Sequence, residues 1–278
     1  MRLPVNSGWL LVLPFLLLVG GLFLGPILNV LWISVTDPTP GFENYAQLGS
    51  SDTLRRILWT TFRVCAICTA FSVILGYSIA YAMVHATGPA QSRMLGLLLV
   101  SFWISVLVRT FSWLMLLGRN GVVNSTLDAL GIISAPIPFM RNELGVLIGM
   151  VHYMVPYAVL PIFAAMQSID GRVVQASRSL GATGAQTFWR VYLPLTKPGV
   201  VAASLVVFII NLGFYVIPAV LGGGKVLMVA EYISVQVLIT RQWGTAAMLA
   251  AILLFGVLAL MFVMSRFMKL STVFGGAR

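Results

Sequence analysis

Gly222-Gly223-Gly224-Lys225 sets three glycines before a lysine, the kind of stretch in which backbone amides and an ammonium cradle a phosphate. A phosphate loop needs Gly-x4-Gly-Lys-Ser/Thr, and here Ala219 holds the first position and Val226 the last, so nucleotide binding is not expected there. Cys65 and Cys68 have the spacing of a redox pair, but they stand inside a long apolar stretch, where thiols pack as small apolar groups. His152 lies in a similar stretch beside Tyr153, as a packing histidine or a pathway group. Arg63 and Arg109 also sit within apolar stretches, where a charge is costly enough to count as a functional candidate by default. Arg63 lies near an end and reads as a snorkelling side chain or a pathway group. Arg109 reads equally as a helix anchor bonded to carbonyls and as a gate or anion contact. These stretches hold no Asp or Glu, so the chain offers no catalytic set and no metal cluster, and we expect neither an enzyme nor a bound cofactor.

The elements that position these residues follow from composition. Hydrophobic residues make up 59% of the chain and charged residues 9%, against roughly 45–50% and about 25% for an ordinary soluble domain. An all-α integral membrane protein is implied, and a soluble catalytic domain is excluded. Candidate spans of about 20 residues each run over 9–35, 57–84, 94–117, 144–166, 198–220 and 245–265, six in all, the first read as uncleaved. The net charge of +10 belongs to topology and not to nucleic acid, because the basic residues lie between apolar spans. With the N-terminus inside, the inner side collects Arg2, Arg93, Arg172, Arg178, Arg190, Lys197, Arg266, Lys269 and Arg278 against Asp170 alone. On the outer side Arg55, Arg56, Arg119, Arg141, Lys225 and Arg241 are matched by Asp37, Glu43, Asp52, Asp128, Glu143 and Glu231. The excess of Lys and Arg inside places both termini in the cytoplasm.

This orientation puts residues 167–197 in the cytoplasm, a loop far longer than the roughly two to eight residues a helical hairpin needs. Val173, Ala176 and Leu180 recur at helical spacing, which predicts a short amphipathic helix over 172–180, ended by Gly181. Thr183 and Gln186 form a capping box, so a second short helix starts there, carries Phe188, Trp189, Val191 and Tyr192, and stops before Pro194. By composition alone such a basic hairpin also fits an anionic lipid surface.

The spacing is more specific. Gln175-Ala176-Ser177, three residues, Gly181, nine residues, Val191, one residue and Leu193-Pro194 resemble the EAA-x3-G-x9-I-x-LP pattern of binding-protein-dependent ABC importer permeases. The resemblance implies a six-helix, type I ABC importer permease fold in a bacterial inner membrane. It implies as partners a second homologous permease, two ATP-binding subunits that carry ATP and Mg, and a periplasmic binding protein. It also implies that the loop couples to the ATPase through Gln175, Ala176, Ser177, Leu180, Gly181, Ala182, Phe188, Val191, Leu193 and Pro194. Gln175 stands for the usual Glu, Ser177 for the second Ala and Val191 for Ile. The change at Gln175 removes one possible salt bridge to the ATPase.

The stretches FENYAQL at 42–48, RTFSWLMLLGRNGVVNSTLDALGII at 109–133, PLTKPGV at 194–200 and GFYVIPAVLGGGKVLM at 213–228 are similar to PotB/PotH-type permeases of spermidine/putrescine importers. A polyamine cargo follows from that resemblance, and an anionic cargo such as a phosphonate or opine is the alternative that the intramembrane arginines support. A polycation would be repelled by Arg109 through a low-dielectric path, so with a polyamine this side chain must be bonded away. Asn211, Gly213, Phe214, Tyr215 and Pro218 weaken the fifth span and mark it as the pathway helix, with Arg109 and Trp113 as further pathway candidates. A channel or secondary transporter would not need the cytoplasmic loop.

Overall fold

The computed structural model describes residues 8–267, so Arg2, Lys269 and Arg278 of the inner basic set lie outside the described residues. The chain folds as helices joined by short turns, the form in which each backbone amide and carbonyl is satisfied within its own segment when water is absent. Two compact units divide it: residues up to Arg56 with Tyr232–Gly256, and Ile57–Glu231 with the segment from Val257 onward.

In the first unit α1 (Gly8–Val19) passes through a π turn (Gly20–Leu24) into α2 (Gly25–Thr36). Pro26 starts α2, where its missing N–H costs nothing. The short α3 (Glu43–Ser50) is fastened to the end of α2 by the buried Asn44, whose amide donates to the carbonyls of Ser34 at 3.2 Å and Asp37 at 2.7 Å. The Gly244 N–H donates to the Asp37 carboxylate at 2.7 Å, and a Cβ on Gly244 would lie 1.9 Å from the Asp37 carbonyl oxygen, so only glycine fits this corner.

The second unit begins within α4 (Asp52–His85), which at about 1.5 Å per residue outreaches the hydrocarbon layer of about 30 Å and carries its charged first turn beyond it. The stretch 94–117, expected as one span, is broken: α5 (Gly88–Trp103) and α6 (Val106–Leu117) meet at an elbow, bent by 96°. Ile104 and Ser105 are extended there, and the Ser105 hydroxyl accepts the Leu107 N–H, so a new N-cap starts α6. A short α7 (Val122–Ala129) precedes α8 (Glu143–Gln167), which remains one helix through Pro156 and Pro161. Next come α9 (Gly171–Ser179), α10 (Gly184–Thr187), a π turn (Phe188–Tyr192) and α11 (Leu193–Leu212). The fifth span thus begins and ends earlier than 198–220, because the chain breaks at Gly213 before α12 (Val216–Gly222). Gly223 and Gly224 follow with φ of +54° and +77°, so the glycine run is a left-handed turn and its composition is conformational in origin. Then come α13 (Val229–Val235), a π turn (Gln236–Thr240) and α14 (Trp243–Phe267). Among the described residues five helices are long and apolar enough to cross a membrane, six with the bent α5–α6 pair taken as one span.

The core of the second unit lies where α8 packs along α11 and α4, around Val64, Met150, Met154, Ile162 and Val207. Small residues set the spacing, since without a hydrophobic drive in lipid the helices associate through close van der Waals contact. A Cβ on Gly199 would lie 2.4 Å from the Ala165 Cβ and 3.0 Å from the Pro161 carbonyl oxygen, whereas one on Gly96 of α5 meets nothing within 4 Å. Gly199→Ala is therefore expected to destabilise the protein by about 1–3 kcal/mol through overpacking, and Gly96→Ala to leave it unchanged or slightly firmer. Thermal unfolding of the two variants in one detergent checks this. Cys65 and Cys68 are both fully buried in the same core as free thiols. Neither should react with a maleimide in the folded protein, and both should after denaturation in SDS.

Candidate coupling loop and translocation pathway

The loop between α8 and α11 is built by local chemistry. Asp170 caps α9, its carboxylate accepting the Arg172 N–H at 2.9 Å. At the other end the Gly181 N–H donates to the Arg178 carbonyl at 2.9 Å and the Ala182 N–H to that of Ser177 at 3.2 Å, the paired bonds of a Schellman turn. Gly181 takes φ of +85°, the left-handed conformation this turn requires. The capping box is formed: the Gln186 N–H donates to the Thr183 hydroxyl at 3.2 Å and the Thr183 N–H to the Gln186 side chain at 2.9 Å.

The second helix corrects the sequence expectation, because it does not stop before Pro194. It runs through the π turn Phe188–Tyr192 into α11, so α10 is the first turn of one continuous helical span over Gly184–Leu212. The Leu193 N–H reaches back to the Phe188 carbonyl, five residues away, and Pro194 enters in the first turn of α11, where the wider register tolerates a missing N–H.

The ten loop residues divide by exposure. Gln175 and Ala176 lie on the exposed face of α9, and Leu180 at its end is 89% exposed. Val173 at 46% and Trp189 at 66% are likewise bare, so this segment presents apolar side chains outward. Pro194 is exposed, and Ala182, Val191 and Leu193 are half-buried. Ser177, where the pattern has alanine, turns inward and pairs with the buried Thr187 hydroxyl at 3.0 Å, tying α9 to α10. Phe188 also turns inward, edge-on to Tyr77 at 6.1 Å and to Tyr81 at 5.7 Å, while Tyr81 meets Tyr192 edge-on at 5.5 Å. The Tyr77 and Thr196 hydroxyls are 3.2 Å apart. This aromatic bracket fastens the π turn to the C-terminal part of α4. Tyr77, Tyr81, Thr187 and Thr196 were not singled out from the sequence, because tyrosines in an apolar span carry no local mark of their partner.

The five pathway candidates separate into two places. Arg109 is 6% exposed, donates from Nη2 to the Ser101 hydroxyl at 3.0 Å and stands 5.1 Å over the Tyr153 ring. It is bonded to a hydroxyl and a π face, with no carbonyl among its partners in the described residues. Phe214 lies 4.9 Å from the same tyrosine. Trp113, one turn after Arg109, donates its indole N–H to His152 Nδ1 at 3.2 Å. Asn211 lies elsewhere, fully buried between α4 and α11, with its amide 3.5 Å from the Thr69 hydroxyl and Cys68 donating weakly to its carbonyl at 3.7 Å. Tyr215 is 44% exposed. Arg63 forms an ion pair with Glu143, joining α4 to the start of α8. Glu231, counted with the outer acidic residues, is 8% exposed, one of its carboxylate oxygens has no hydrogen-bond partner among the described residues, and burial pushes its pKa up.

The chain is 35% identical to the spermidine/putrescine transport system permease protein PotB of Haemophilus influenzae over 72% of its own length and 70% of that protein's. PotB of Escherichia coli is 31% identical, with 79% of this chain and 80% of that protein covered. Among solved structures, a chain of a bacterial alginate ABC transporter, in complex with an alginate pentasaccharide-bound periplasmic protein, superposes with a TM-score of 0.77. It covers 94% of this chain and 96% of that one at 17% identity, and so shares the fold. The family model for binding-protein-dependent transport system inner membrane components matches residues 72–271. With the exposed loop, the apolar spans and these likenesses together, the chain belongs to the binding-protein-dependent transport system inner membrane components: it is an ABC importer permease.

Proposed function

We propose that this chain is one permease of an importer for polyamines, spermidine or putrescine, with both termini in the cytoplasm. The reading rests on the similarity to spermidine/putrescine permeases over most of the chain. The charge asymmetry of the loops supports the orientation. A second, homologous permease completes the pathway, a periplasmic protein delivers the cargo, and two ATP-binding subunits hold ATP and Mg. This chain binds no cofactor. The coupling surface is the outward side of α9 and its Schellman turn, with Gln175, Ala176, Leu180 and Gly181 meeting an ATP-binding subunit. The Phe188–Tyr192 π turn carries the motion into α4 and α11. A groove on the ATPase fits this surface better than lipid does, since Leu180 projects from a tight turn and not from the apolar stripe of a long amphipathic helix. Arg109, Trp113, Phe214 and Tyr215 line the pathway.

The alternative of an anionic cargo has one observation in its favour: Arg109 is a buried cation whose neighbours supply no ion-pairing carboxylate among the described residues. Uptake of labelled putrescine and spermidine, beside sulfate, a phosphonate and an opine, by proteoliposomes holding the complete importer separates the two. ATP-dependent accumulation of the polyamines alone is the expected result, and uptake confined to anions overturns the polyamine reading.

A further inference from the structure

The Arg109 guanidinium is buried, always charged, and incompletely matched: Nη2 bonds Ser101, Nε is buried without an acceptor, and no carboxylate pairs with it among the described residues. Its remaining compensation is aromatic. Tyr153 lies beneath it at 5.1 Å and is one member of a group. Tyr157 stacks on Tyr153 at 5.8 Å, Phe102 meets Tyr157 edge-on at 4.9 Å, and Phe214 packs on Tyr153 at 4.9 Å. One π face thus meets the cation, and the three other rings cluster around that tyrosine, a set of aromatic surfaces of the kind that recognises alkylammonium groups.

Two features distinguish this from a permanent anchor. A lasting anchor for a buried guanidinium would match its donors with carbonyls, and this one leaves a buried N–H idle. The walls also come from places where the helices are broken: Phe102 lies just before the α5–α6 elbow at Ile104–Ser105, and Phe214 lies just after α11 ends at Leu212. The rings are not sealed in the core, since Phe102 is 36% exposed and Tyr153 and Tyr157 are half-buried.

We propose that Phe102, Tyr153, Tyr157 and Phe214 form a subsite for a primary ammonium group of the cargo, and that Arg109 is a tethered cation filling its Tyr153 face until the cargo displaces it. The proposal rests on the polyamine reading and adds the site to it. The arriving ammonium takes the ring face that the guanidinium gives up, so the two cations do not share one aromatic contact. The same exchange accounts for an arginine in the path of a polycation: at rest the guanidinium is held on the ring, where it closes the subsite.

The test measures binding of labelled spermidine to the purified complex of permeases and ATPases without the periplasmic protein, beside uptake in proteoliposomes that include it. Wild-type uptake of spermidine checks the polyamine reading, and its absence overturns both. With uptake present, removing the competing cation in Arg109→Gln should tighten binding about fivefold, while Arg109→Lys, which keeps a tethered cation, should bind as wild type. Tyr153→Leu should weaken binding roughly tenfold and Tyr153→Phe less than about twofold, since only the ring is needed. Unchanged or weaker binding in Arg109→Gln, or wild-type binding in Tyr153→Leu, overturns the tethered-cation site while leaving the polyamine reading intact.

Discussion

Replacing Gly181 with valine should give an importer that assembles, inserts and hydrolyses ATP but accumulates at most about a tenth of the cargo. The left-handed conformation costs an ordinary L-residue about 1–2 kcal/mol, and for a β-branched side chain it is a genuine outlier. Gly181 stands in that region at φ +85°, with open space around it, so the penalty is conformational and not a clash. Relief of the strain at a negative φ breaks the bonds from Gly181 to Arg178 and from Ala182 to Ser177, and α9 then leaves α10 in a different direction. Closure of the ATPases would no longer be delivered to α11. Gly181→Asn, which tolerates this conformation, should keep most of the uptake. Parallel assays of uptake and ATP hydrolysis in proteoliposomes decide the matter, and full uptake by the valine variant would sink the coupling role.

Leu180→Asp should detach the ATP-binding subunit. A leucine 89% exposed at the end of an amphipathic helix is left bare by the described residues, and a side chain of this kind at the centre of an interface is a hot-spot candidate, worth about 2 kcal/mol or more. A carboxylate in its place forfeits that contact and adds a desolvation cost, so the affinity should fall roughly 30-fold or further. Arg190 is exposed within the π turn, and as a rim charge Arg190→Gln should change affinity less than about threefold. A detergent pull-down with the tagged ATPase, read at two salt concentrations, compares them. Equal retention of both variants would instead favour a loop resting on lipid.

The membrane class, the helical turns of the 167–197 loop and the glycine between them were legible in the sequence because each depends on neighbours within a few positions. Thr183 and Gln186 cap the helix they begin, Asp170 caps its own, and Gly181 takes the turn that its lack of a Cβ permits. Apolar runs are equally local, since the bilayer is a solvent that each segment meets by itself. The same locality misled at Pro194: a proline reads as a stop, yet a π turn just before it carries the helix through. It misled again at 94–117, where an unbroken apolar run conceals an elbow that only the Ser105 cap betrays.

Partners far apart in sequence were decided by the tertiary structure alone. Nothing near Phe188 indicates Tyr77 and Tyr81, more than a hundred residues away, and nothing near Arg109 indicates that Tyr153 lies beneath it with Phe214 alongside. Arg63 meets Glu143, a carboxylate eighty positions on, and so becomes an ion pair and not a lone snorkelling charge. Gly199 matters only because Ala165 and Pro161 come within the reach of a methyl group. The sequence by itself determined that the chain lies in a membrane and which loop folds into short capped helices, because hydropathy and helix capping act over a few residues. The tertiary structure decided which side chains share a site, because helix packing in lipid turns on shape complementarity between segments, and no short stretch of either segment encodes the other's surface.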